Sequence, residues 1–176
     1  LSELLRKVLH ATAPAFSAFF LIPLDRDLKL AVYLILLALV LLFEAVRIAY
    51  SLRIPGLREY ESRRPAAYAQ FAIALAIIYA FGDLRTSLIA LTLLAVVDPV
   101  ASWSRGSRLY PALPFLAGLT PTLLLMASCA GLTPLTVAMS LIVASSAVVV
   151  ESVHTGVVDD DFLIPATALL LSECLC

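Results

Sequence analysis

From Leu30 to Phe43, fourteen residues pass without a charged side chain, and the Tyr33 hydroxyl is the one polar group among them. A helix over such a run is apolar on every side, and a water-soluble fold has to bury a helix of that kind completely. Six further apolar stretches accompany it. The full set lies near residues 11–24, 28–46, 66–82, 86–102, 111–131, 133–150 and 162–176. A helix crosses the hydrocarbon core of a bilayer in about 20 apolar residues, with a range of about 17–25. Several of these stretches are short, and the first contains Pro14 and Pro23. Composition points the same way: 62% of the 176 residues are apolar and 14% are charged, whereas a soluble domain carries about 25% charged residues. A cytosolic enzyme, a nucleic-acid-binding module and a disordered chain are therefore excluded. The pattern predicts an all-α integral membrane protein, a single bundle of about seven transmembrane helices filling residues 1–176.

The basic residues predict its orientation. With a cytoplasmic N-terminus, that side holds Arg6, Lys7, Arg47, Arg53, Arg58, Arg63, Arg64, Arg105 and Arg108, nine of the twelve Lys and Arg residues. Arg26, Lys29 and Arg85 fall on the other side. The connecting loops are short enough for this excess to set topology. The amphipathic segment from Leu1 to His10 is expected to be retained, because no small-residue cleavage site follows it. The net charge of −1 points to no polyanionic partner, and Cys129, Cys174 and Cys176 form neither a disulfide framework nor a zinc pattern. Asn is absent and Gln occurs once, a bias expected of heat-adapted chains.

Ionisable side chains at membrane depth cost about 2.5–3.5 kcal/mol each on insertion scales, which makes them functional candidates. Four groups qualify, all at the cytoplasmic end in the topology above. Glu3, Arg6, Lys7 and His10 recur at helical spacing and share one stripe; they suit either an interfacial anchor on lipid phosphates or a phosphate-handling surface with a titratable histidine. Glu44 and Arg47 close the most apolar stretch, either as an i,i+3 ion pair or as part of a polar lining. Asp98 ends the run Leu-Thr-Leu-Leu-Ala-Val-Val and is followed by Pro99, Ala101, Ser102, Arg105, Gly106 and Arg108. Pro99 removes a backbone donor, so a kink or break is expected there. The small residues allow a ligand near the backbone, and the arginines suit phosphates. Last come Glu151 and His154, then Asp159, Asp160 and Asp161. One capping Asp would satisfy a helix N-terminus, whereas three adjacent carboxylates repel one another unless a cation or basic group lies nearby. Mg²⁺ favours one or two carboxylates together with substrate phosphates.

At these four places the chain resembles the dolichol kinase and phytol kinase family, CTP-using polyprenol kinases related to the phosphatidate cytidylyltransferases. The family's E-x-x-R-K-x-x-H is matched by Glu3, Arg6, Lys7 and His10, and its E-x-x-R by Glu44 and Arg47. Its G-D-x-x-A-S is matched at Asp98, Ala101 and Ser102, with Val97 in place of the glycine. Its D-D-N-x-x-x-P, preceded by Glu151, is matched at Asp159, Asp160 and Pro165, with Asp161 in place of the asparagine. The family's K-x-x-E-G is not visible, and residues 110–122 carry no charge.

The resemblance implies a Mg²⁺-dependent membrane lipid kinase transferring the γ-phosphoryl group of CTP to a polyprenol- or dolichol-type isoprenoid alcohol, its active site on the cytoplasmic side. On that reading Asp98 or His10 is the base, and Asp98, Glu151, Asp159 and Asp160 hold the metal. Arg6, Lys7, Arg47, Ser102, Arg105 and Arg108 meet the nucleotide and its phosphates. A CTP-dependent cytidylyltransferase making a CDP-lipid would use the same residues, and a transporter or non-catalytic relative could carry a similar inventory. The bilayer, a nucleoside triphosphate and the alcohol are the expected partners, with no nucleic acid; the sequence is silent on oligomeric state.

Overall fold

A computed structural model describes residues 8, 10–52, 54, 57, 64–153 and 158–173. Among them the chain is all helical. A 3₁₀ helix covers Ala13–Leu21, and six α-helices follow: α1 Arg26–Ala49, α2 Ala67–Phe81, α3 Leu84–Ser104, α4 Ala112–Ala130, α5 Pro134–Ser152 and α6 Asp160–Ser172. Four of these, α1, α3, α4 and α5, are long and apolar enough to cross a membrane. Helix α2 is equally apolar but has 15 residues, and α6 has 13.

The first apolar stretch does not form a spanning α-helix. Pro14 sits in its first turn and Pro23 closes it, leaving nine residues wound as 3₁₀. Three residues per turn bring positions i and i+3 onto one edge, and this edge carries Ala13, Phe16 and Phe19. Phe16 meets Phe71 edge-on, with centroids 5.4 Å apart, and Phe19 stacks on Tyr79 at 3.7 Å. Phe71 and Tyr79 are eight residues apart and so share one face of α2. The Tyr79 hydroxyl donates to the Phe16 carbonyl at 2.9 Å. A helix form that sequence periodicity did not predict is thus fixed by an aromatic zipper to α2.

Helix α3 is the hub. It packs on the 3₁₀ helix, α4, α5 and α6, and Ile89, Ala90, Leu91, Leu93, Leu94 and Val97 are buried around its circumference. Asp83 caps its start, accepting from the Thr86 N–H at 2.8 Å while the Thr86 hydroxyl accepts from the Asp83 N–H at 2.9 Å. Pro99 does not break it: α3 continues to Ser104. The buried surroundings of Val97 and Ala101 hold the helix past the missing donor. Helix α4 comes close at Gly118, where an added Cβ would lie 2.8 Å from a Val97 methyl. Helix α1 packs chiefly on α2 and leaves Leu34, Ile35, Leu36, Leu39 and Leu42 exposed. Its two buried residues are Glu44 and Arg47.

Candidate active site at one end of the bundle

The ends of α3 and α5 and the starts of α2 and α6 lie together at one end of the bundle, joined by the helical turn at His10. That turn is closed by the Thr12 N–H donating to the Val8 carbonyl at 3.2 Å. His10 reaches across 151 residues to pair through Nε2 with Asp161, and the same nitrogen lies 3.5 Å from an Asp98 oxygen. Asp98, His10 and Asp161 are all buried.

Carboxylate oxygens of Asp98, Glu151 and Asp160, one each from α3, α5 and α6, lie within 4.8 Å of one another; so do those of Asp159, Asp160 and Asp161. The triplet also does ordinary helix work. Asp159 caps α6 by accepting from the Asp160 N–H at 3.1 Å, and Asp160 accepts from the Asp161 N–H at 3.1 Å. Burial, and then the neighbouring Asp160 carboxylate, push the Asp159 carboxyl up to about 6. Close carboxylates that resist losing their last protons are what a hard divalent cation relieves. Oxygen donors from three separate helices, two of them buried, fit Mg²⁺.

Glu151 has company besides the acids. Its Oε1 pairs with the Arg105 guanidinium, and its Oε2 accepts from the Tyr110 hydroxyl at 3.4 Å. Ser102 is half-buried one turn beyond Asp98 on α3, and Arg108 is exposed past the end of that helix.

Beside His10 and Asp161 opens a cavity of about 260 Å³, lined otherwise by Thr12, Ala13, Phe16, Ala67, Tyr68, Phe71 and Leu94. Its walls are mostly apolar and the paired His10 and Asp161 are among the residues that line it, a form suited to a lipid with a polar head.

Arg47 is not among the residues that meet at this cavity. It is fully buried and forms a two-pronged pair with Glu44, at 2.8 and 2.7 Å, the i,i+3 alternative of the two read from the sequence. The pair also gathers the approach to α2. Arg47 donates to the Arg64 carbonyl at 2.7 Å, while Glu44 accepts from the Ala66 N–H at 2.6 Å and from the Tyr68 hydroxyl. Tyr68 then forms part of the cavity wall, so this group touches the site through an aromatic ring. Arg6, Lys7 and His154 lie outside the described residues.

Three side chains that the motifs did not single out complete the arrangement: Tyr68, Tyr110 and Gln70. Gln70 accepts from the Asp159 N–H at 2.7 Å and donates to the Pro65 carbonyl at 3.3 Å, tying the start of α6 to the start of α2. It is the chain's only glutamine, and an amide at position 70 interrupts an apolar helix. That was the available signal.

Comparison with known proteins finds no family model that matches the chain, no similar curated protein and no similar solved structure.

Proposed function

We propose that the chain is a membrane lipid kinase transferring the γ-phosphoryl group of CTP to an isoprenoid alcohol of the polyprenol type. In this reading it is a bundle of seven membrane-embedded helical segments with its N-terminus and active site on the cytoplasmic side. The observation that carries the reading is the adjacency of a three-carboxylate cluster, Asp98, Glu151 and Asp160, to the mostly apolar cavity that His10 and Asp161 help to line. Phosphoryl transfer to a lipid needs a cation-holding group, a receptor for phosphates, a base and an apolar groove within a few ångströms of one another. The resemblance of the polar motifs to polyprenol kinases supports the choice of donor and acceptor.

In this scheme Asp98 and Asp160, with Asp159 beside them, hold Mg²⁺, which when bound neutralises charge on the donor phosphates. The isoprenoid tail lies against Ala13, Phe16, Phe71 and Leu94, with its hydroxyl toward His10. Asp161 orients the imidazole, and His10 takes the hydroxyl proton as the oxygen bonds to the γ-phosphorus. The bond from that phosphorus to the bridging oxygen breaks, and CDP leaves. Arg105 and Arg108 meet phosphate charge. Arg47 positions Tyr68 in the cavity wall.

The test is transfer from γ-³²P-labelled CTP, with Mg²⁺, to mixed isoprenoid alcohols by purified protein in detergent. Label in an organic-extractable phosphate is the expected result. Release of pyrophosphate with formation of a CDP-lipid would make the chain a cytidylyltransferase, and no turnover by folded protein would make it a non-catalytic relative or a transporter.

A further inference from the structure

We infer that Glu151 is a positioning residue that holds the Arg105 guanidinium and the Tyr110 hydroxyl as a receptor for the polyphosphate of the donor, and that it is not a metal ligand. The inference rests on the nucleotide-using reading above and names the group that meets the nucleotide.

Two of the three carboxylates near the cation position are otherwise placed than Glu151. Asp98 faces His10, and Asp160 begins α6 beside two further acids. Glu151 alone has both oxygens engaged by donors from the segment that follows α3: Oε1 by Arg105 and Oε2 by Tyr110. A carboxylate shared with a guanidinium has its charge already matched, so it adds little attraction for a divalent cation. Asp98 and Asp160 balance such a cation by themselves.

The asymmetry of burial assigns the roles. The Glu151 side chain is fully buried, whereas that of Arg105 is 43% exposed. The acid is the fixed partner and the arginine the accessible one. A guanidinium offers five N–H donors in a planar fork, and one carboxylate takes at most two. The remaining donors suit phosphate oxygens, and the neighbouring Asp98–Asp160 pair sets the cation that accompanies a polyphosphate close to them. Leaving Glu151 buried without Arg105 would be strongly unfavourable, which keeps the guanidinium at this spot.

The experiment measures two affinities on the purified full chain in detergent: Mn²⁺ alone, by electron paramagnetic resonance, and CTP at saturating Mn²⁺, by equilibrium binding. Glu151→Gln is expected to hold Mn²⁺ within about threefold of the parent while binding CTP roughly tenfold or more weakly. Arg105→Ala is expected to lose CTP similarly, and the double variant to lose little more than either alone. Asp98→Asn loses Mn²⁺. Loss of Mn²⁺ by Glu151→Gln to the same degree makes Glu151 a ligand and overturns the inference, as does an Arg105→Ala protein that binds CTP normally. If Glu151→Gln does not fold, Arg105→Ala decides by the same criterion. A parent protein that binds CTP through Arg105 but phosphorylates no alcohol overturns the kinase reading and leaves this inference standing. A parent that binds no CTP overturns both.

Discussion

The two ends of the bundle use similar polar residues to opposite effect. At the end where α1 and α3 begin, charged groups serve the backbone. Arg26 donates to the Ala80 carbonyl at 2.7 Å, Lys29 to the Ile22 carbonyl at 3.2 Å, and Asp83 caps α3 three residues away. Each tidies a helix end, and an aromatic cluster of Phe19, Phe20, Tyr33 and Tyr79 fills the space between. At the other end charge meets charge: His10 with Asp161, Arg47 with Glu44, and Arg105 with Glu151. Two of these pairs join residues 151 and 46 positions apart. Capping a helix needs one local acceptor. Gathering three carboxylates within 4.8 Å across three helices goes beyond what a helix end needs and is unfavourable without a cation or a base. The difference separates the candidate site from ordinary structural polarity.

The strongest way to break this comparison is to exchange one carboxylate at each end. Asp98→Asn should reduce phosphoryl transfer to background while the protein elutes and melts as the parent does. Asp83→Ala should leave turnover unchanged. An active Asp98→Asn protein would remove the distinction between the ends.

The next effect is on stability and sets Glu44 and Arg47 apart from the carboxylate cluster. Both are buried and their partners are fixed. Removing one member of such a pair leaves a buried charge uncompensated, at about 3–5 kcal/mol. Arg47→Met should therefore lower the chemical-denaturation midpoint in detergent far more than replacement of the exposed Arg108 by Ala does. Replacing both, as Glu44→Leu with Arg47→Met, should recover much of that loss, since an apolar pair leaves no charge behind. Equal sensitivity to Arg47→Met and Arg108→Ala would mean that the Glu44–Arg47 pair does not hold the fold.

Packing gives a third, smaller test at the hub. A Cβ at position 118 would sit 2.8 Å from Val97, next to Asp98. Gly118→Ala should destabilise by about 1–3 kcal/mol and should be rescued in part by Val97→Ala, which removes the opposing methyls. Failure of the rescue would place the strain at Leu93, whose methyl would lie 3.0 Å from the new Cβ, rather than at Val97.

Much of this arrangement was legible in the sequence, for identifiable reasons. Charge in an apolar chain is conspicuous, so His10, Asp98, Glu151 and Asp159 to Asp161 stood out before any fold was known, and their common end followed from helix parity. The apolar stretches marked the helices, although Pro14 and Pro23 left room for a 3₁₀ form that only contact with Phe71 and Tyr79 selects. The role of Arg47 was undecidable from spacing, because an i,i+3 partner and a ligand-facing rotamer share one pattern. Tyr68, Gln70 and Tyr110 were missed because neutral side chains carry no periodic signal, and their partners lie 24, 89 and 41 residues away. The ion pairing of Glu151 was equally hidden: a carboxylate in the sequence does not say whether a metal or an arginine will claim it.

The smallest effects compare a cap at each end. Asp83→Ala removes one N-cap acceptor and should cost about 1 kcal/mol. Asp159 also caps a helix, yet burial and Asp160 hold its carboxyl at about 6. A capping carboxylate whose pKa is raised on folding favours the folded chain most below its unfolded value of 3.8, and that contribution is lost as pH rises through about 6. In the same window the carboxylate becomes able to hold a cation. The rise in melting temperature on adding Mg²⁺ should therefore be larger at about pH 7.5 than at about pH 5, and this difference should shrink in Asp159→Asn. Asp83→Ala should leave it intact. A Mg²⁺-induced rise that is independent of pH, or one that Asp159→Asn leaves untouched, would make Asp159 a cap of the same kind as Asp83.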